Sequence, residues 1–200
     1  MHTIIGKSVI LTPISGEDTE LILRWRNSAD VKQNFVFREP LTQEMHEAWL
    51  KSKVATGDVI QFVISTRNDG VKIGSVYLRD IDREHKHAEF GIFIGDGNAR
   101  GKGYGSEAAS LICQYGFQSL GLHRIFLRVF TSNTAAIKCY EKVGFTKEGV
   151  ARDIAFLDGR YHNMVFMSLL SCETKDGAKE PDSCWLDEGT EVGVRNGSIE

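Results

Sequence analysis

The densest chemical signal in this 200-residue chain is Arg100-Gly101-Lys102-Gly103-Tyr104-Gly105. Six of its 20 glycines fall between Gly91 and Gly105, where backbone lies open that side chains would otherwise cover. Consecutive amides without bulky side chains, leading into a helix, make an anion cradle, and Arg100 and Lys102 add positive charge. A phosphate or pyrophosphate suits such a cradle. It is not a nucleotide-hydrolysing loop: Gly97 to Gly101 is one residue short of the required spacing, and Gly103 stands where Ser or Thr should follow the lysine. The stretch Gly103-Tyr104-Gly105-Ser106-Glu107-Ala108 satisfies a dinucleotide fingerprint in letters only. Its strand ends near Ile94, nine residues early, and no acidic residue closes the strand at Val129-Phe130-Thr131.

Elements of a definite order position this loop. Residues 3–12 read as a strand closed by Pro13. Residues 17–28 and 42–55 carry helical apolar registers, with Leu21, Ile22 and Trp25 in the first and Met45, Ala48 and Trp49 in the second. Strands follow at 59–66 and 71–78 around the turn Asn68-Asp69-Gly70, and at 87–94. A helix over 106–120 places Ala108, Leu111, Ile112 and Tyr115 on one face. A strand at 124–130, a helix at 133–143 stopped by Gly144, and a hairpin of 145–156 with 161–170 complete the series. The order β-αα-βββ-α-β-α-ββ implies the α/β class: a mixed central sheet flanked by helices.

R-x-x-G-x-G after a strand and before a helix resembles the acyl-CoA motif of the GNAT N-acetyltransferase superfamily. Asn133-x-x-Ala136-Ile137-x-x-Tyr140-Glu141-Lys142-x-Gly144-Phe145 is similar to that family's second signature, and residues 3 to 170 follow the order of its fold. The branches resembled most are the ribosomal-protein and amino-sugar N-acetyltransferases.

The resemblance implies acetyl-CoA as co-substrate and no metal. The amides of Arg100, Gly101, Lys102, Gly103, Tyr104 and Gly105 would hold the pyrophosphate. The backbone of Ile92, Phe93 and Ile94 would pair with the extended pantetheine arm, and Asn133 would approach the coenzyme. Tyr140, two helical turns past Asn133, would protonate the departing thiolate as general acid. Reaction would proceed by direct attack in a ternary complex, on a protein N-terminus, an amino sugar or another small amine. The alternatives are a non-catalytic acyl-CoA-binding module and, behind it, a dinucleotide-dependent enzyme.

An amine is almost wholly protonated at neutral pH, so a base has to act. Glu89 is the first candidate, eleven residues before Arg100, an offset resembling the base position in histone-type members. His85 and His87, at i, i+2, i+4 spacing with Glu89, are candidate relays or, with it, metal ligands. Cys139 adjoins Tyr140 on another helix face, which argues against a thiol intermediate.

Composition bounds the rest. The chain is 42% hydrophobic and 26% charged, the balance of a globular protein. No run of ~20 apolar residues offers a membrane helix. Residues 173–200 hold eight carboxylates against three bases, a tail of −5, while the rest carries +2. Near-neutrality gives no reason to expect nucleic-acid binding. The expectation is a domain over 1–171 with an acidic tail over 172–200, flexible or loosely docked. Four cysteines without CxxC spacing fit a reduced, cytoplasmic protein, monomeric or homodimeric, whose partner is a small-molecule or peptide amine.

Overall fold

A computed structural model describes residues 2–174; the expected tail beyond that point lies outside the described residues. Eight strands form one sheet in the order β1-β2-β3-β4-β5-β6-β8-β7. They are β1 (Ile4–Ile5), β2 (Val9–Pro13), β3 (Ile60–Thr66), β4 (Lys72–Asp82), β5 (His87–Ile94), β6 (Arg124–Phe130), β7 (Thr146–Leu157) and β8 (Arg160–Leu170). The helices are α1 (Thr19–Asn27), α2 (Ala29–Lys32), α3 (Gln43–Trp49), α4 (Tyr104–Ser119) and α5 (Thr134–Val143).

The sequence order is therefore extended in two places. The first strand divides into β1 and β2, because the chain reverses through Gly6, whose amide donates to Val9 O at 2.9 Å. A four-residue α2 follows α1, and α3 continues into one turn of π-helix over Leu50–Val54.

Alternation along the strands divides the core. Phe62 and Ile64 of β3 and Phe90 of β5 face one side with Ile112 of α4 and Ile137 and Tyr140 of α5. Val63 and Phe93 face the other with Ile22 and Trp25 of α1 and Val31 of α2. Burying each such side chain stabilises the fold by about 1.5–3 kcal/mol.

One pairing leaves the sheet open. β5 and β6 are parallel, but they pair only at His87–Arg124, Ala88–Ile125 and Glu89–Phe126. Beyond Glu89 they separate, while β5 stays paired with β4 as far as Ile94. Residues 90–94 therefore carry one sheet edge with no strand on it.

Candidate active site

The separation opens into a cavity of about 1180 Å³. β5 supplies Glu89 through Ile94 to its wall, the loop before α4 supplies Gly101 and Gly103, the first turn of α4 supplies Gly105, and α5 supplies Cys139 and Tyr140. The helices on the other side supply Arg26, His46 and Trp49.

The cradle forms because two glycines adopt left-handed backbone, Gly101 with φ +75° and Gly103 with φ +86°. A Cβ built on either meets nothing within 4 Å, so the space over them is free of protein. Gly103 caps α4 without a side chain, and the first helical bond runs from Glu107 N to Gly103 O at 3.1 Å. The amides of Gly101 through Ser106 are thus left for a ligand at the positive end of a 16-residue helix. Arg100 differs from the rest of the expected set. Its amide donates to Gly97 O at 3.2 Å, closing a 3-10 turn. Its guanidinium turns back to Ile94 O at 3.2 Å and to Asp30 at 3.3 Å. Arg100 thus ties the loop to the end of β5. Lys102 is exposed and absent from the cavity wall.

Not every glycine of the dense run borders open space. A Cβ on Gly95 would stand 2.1 Å from the Trp25 ring, and one on Gly91 would stand 2.3 Å from Tyr77 Cζ. These two glycines receive aromatic rings.

Ile92, Phe93 and Ile94 all line the cavity along the open edge. The carbonyl of Ile94 is already taken by Arg100, which leaves the edge between Phe90 and Phe93 for an extended ligand. Asn133 caps α5 by accepting from Ala136 N at 3.1 Å and donates to Asn34 Oδ1 at 3.0 Å. It also lines the cavity.

Tyr140 is buried against Phe90 and Phe145, with ring centroids 5.7 and 6.0 Å away. Burial pushes its phenol well above the usual range, with Cys139 and Tyr77 adding to the shift. At neutral pH it holds its proton. Cys139 rests on Ser106 Oγ of α4 at 3.1 Å and shares the cavity wall with Tyr140.

Glu89 is 5% exposed. Arg79 donates to Oε2 from Nε at 3.1 Å and from Nη2 at 2.9 Å. Arg128 donates to Oε1 from Nε and to Oε2 from Nη2, both at 3.0 Å. Oε2 thus takes three donors and Oε1 one, so Oε1 alone has a lone pair to offer. The three candidate metal ligands do not assemble. His85 lies in the β4–β5 turn with Nδ1 3.0 Å from Asp82, and His87 Nε2 is 3.9 Å from the same carboxylate. Glu89 points instead into the arginines, and His87 is not on the cavity wall.

On the side of the first helices, Phe35, Phe37, His46 and Trp49 line the cavity. Asn27 does not. Its side chain brackets Leu41, accepting from the amide at 2.8 Å and donating to the carbonyl at 2.9 Å, which pins the intervening loop. Trp25 lies buried against Phe93. Sequence reasoning passed over Arg26, Tyr77, Arg79, Arg128 and Lys142. Of these, Arg79 and Arg128 needed the register Arg79–Glu89 and the strand order to be seen.

Known proteins resemble this chain in sequence and in fold. Residues 8–146 match the family model described as Acetyltransferase (GNAT) domain. The spermidine N(1)-acetyltransferase of Escherichia coli (strain K12) is 34% identical over 180 residues, covering 90% of this chain and 95% of that protein. The solved spermidine N-acetyltransferase of Vibrio cholerae in complex with CoA and spermine superposes with a TM-score of 0.78 at 27% identity, covering 84% of this chain and 98% of that one. A dodecameric structure of the Vibrio cholerae enzyme gives a TM-score of 0.73 at 26% identity, covering 87% and 100%. No helix among the described residues is long and apolar enough to cross a membrane. With its cradle, its open strand edge and a family match over most of its length, the chain belongs to the GNAT acetyltransferases, the acetyl-CoA-dependent family its two motifs resemble.

Proposed function

We propose that the protein transfers the acetyl group of acetyl-CoA to a primary amine by direct attack within a ternary complex. The observation that carries this reading is a single cavity in which unpaired loop amides, an open strand edge and a buried tyrosine stand side by side. The amides of Gly101 through Gly105 hold the pyrophosphate. The edge of β5 near Ile92 and Phe93 holds the pantetheine amides as an added strand would.

The amine nitrogen attacks the thioester carbonyl, a C–N bond forms, and the C–S bond breaks. Tyr140 gives its proton to the departing sulfur. A phenol is a weaker acid than a thiol, so this transfer runs with C–S cleavage, as charge collects on sulfur. The ammonium proton leaves through water towards Glu89 Oε1, the one oxygen of that carboxylate with an open lone pair. Cys139, held on Ser106, takes no covalent part.

The relatives named for spermidine support an amine acceptor. Calorimetric titration with acetyl-CoA, followed by thiol release in the presence of peptide, polyamine and amino-sugar acceptors, tests the reading. Binding without release from any acceptor would favour the non-catalytic module.

A further inference from the structure

One wall of the cavity carries a charge that the described residues leave unanswered. Arg26 of α1 lies with its guanidinium carbon 3.4 Å from the centroid of the Phe35 ring. Its Nη1 is buried without a hydrogen-bond partner among the described residues. Other arginines of the wall have carboxylates: Arg100 has Asp30 at 3.3 Å, and Arg79 and Arg128 have Glu89 at 2.9 and 3.0 Å. Burial lowers the pKa of Arg26, yet a guanidinium keeps its proton at neutral pH. A half-buried cation with one nitrogen sealed off and no carboxylate partner among the described residues is costly to fold around, and such a group marks a place that a ligand completes.

A second unanswered group stands on the same side of the sheet. His46 of α3 is 3% exposed and lines the cavity. Its Nδ1 is fixed 3.0 Å from Thr19 Oγ1, and its Nε2 is buried without a partner. Burial pulls its pKa down, against the opposing pull of Asp18 and Glu47, so the ring is neutral at pH 7. The lining as a whole holds five cationic side chains against two carboxylates, Asp30 and Glu89, both already paired. A polyamine brings further ammonium groups and finds no free carboxylate on this wall.

Resting on the N-acetyltransferase reading above, we propose that the acceptor amine also carries an anionic group, a carboxylate or a phosphate, which pairs with Arg26 and hydrogen-bonds to His46 Nε2. Polyamines, the acceptors named for the relatives, are then poor acceptors here. The chemistry selects an anion-bearing amine and leaves the carrier of the anion to the test.

The test compares kcat/KM for acceptors that differ in one anionic group: glucosamine with glucosamine 6-phosphate, and β-alanine amide with β-alanine. A UDP-linked amino sugar and spermidine complete the panel. At least one anionic member should exceed its neutral counterpart and spermidine by about tenfold or more. Arg26→Gln should erase that ratio through KM, Arg26→Lys should restore part of it, and acetyl-CoA affinity should stay within about twofold in both. A phosphate preference and a carboxylate preference each support the proposal and tell the two anions apart. Preference for spermidine, equal rates within every pair, no turnover of any anionic amine, or a ratio that survives Arg26→Gln in a folded protein would each overturn it. Failure of the wild-type protein to bind acetyl-CoA would instead sink the transferase reading.

Discussion

Tyr77 lies over the Cα of Gly91: a methyl group built on that glycine would stand 2.3 Å from the ring's Cζ and 2.4 Å from its hydroxyl. The two residues are cross-strand partners of β4 and β5, and both line the cavity. Gly91→Ala therefore has to displace the phenol. We expect a loss of about 1–3 kcal/mol in stability and a rise in acceptor KM. Adding Tyr77→Leu should recover part of the stability, and a double-mutant cycle from denaturation curves measures the coupling.

Gly103 and Gly105 give a test of the cradle. Gly103→Val places a branched side chain in space free of protein and also forces it into left-handed backbone. Gly105 has no such backbone demand, and a Cβ there meets only Ile94 Cγ1 at 3.8 Å. Both variants should weaken acetyl-CoA binding by about tenfold or more in calorimetry, with the drop in Tm confined mainly to Gly103→Val. Unchanged affinity in both would remove the pyrophosphate from this loop.

Tyr140→Phe keeps the ring among Phe90 and Phe145 and removes only the proton donor. Turnover should fall roughly 10²-fold while acetyl-CoA affinity stays near the wild-type value. Steady-state thiol release and a binding titration separate the two. Equal turnover would assign the proton to water.

Glu89→Gln separates base from brace. As the base, Glu89 gives a variant that is slow at neutral pH and recovers in part as pH climbs towards the pKa of the free amine. As a brace alone, it gives profiles of the same shape in variant and wild type. In both cases Tm should fall, because Arg79 and Arg128 lose the charge that holds them. His87→Gln, off the cavity wall, should leave the profile unchanged.

His46 adds a pH dependence to stability. Its folded-state pKa is lowered by burial, so the unfolded chain binds the proton more readily. Stability from this group is present above the unfolded value near 6.5 and is lost as pH falls below it, until the folded-state pKa is passed. Tm should decline on acidification below about pH 6.5, and His46→Gln should flatten that part of the curve.

The strands at 87–94 and 124–130 were legible to the residue, because strict alternation and continuous β-branched or aromatic runs leave little choice of period. The cradle was legible from glycine spacing. The double clamp on Glu89 was not. Arg128 lies 39 residues further along and reaches Glu89 only because β6 is laid parallel to β5. Arg26 was hidden for a related reason: an arginine in an amphipathic helix reads as solvated, and only the Phe35 loop folding over it buries its nitrogen. The short α2 escaped because four residues carry no period to detect.

The parting of β5 from β6 after three pairs leaves the sheet unfinished along residues 90–94, the edge proposed to take the coenzyme. Strands β1 to β5 on one side and β6 to β8 on the other meet at a narrow hinge of hydrogen bonds, and in the proposed complex the coenzyme arm is the thread that would stitch the rest of the seam. Occupancy would then be a mechanical property as much as a chemical one. Melting temperature would climb with the logarithm of donor concentration, and amides beside the gap would exchange slowly only while the thread is in place.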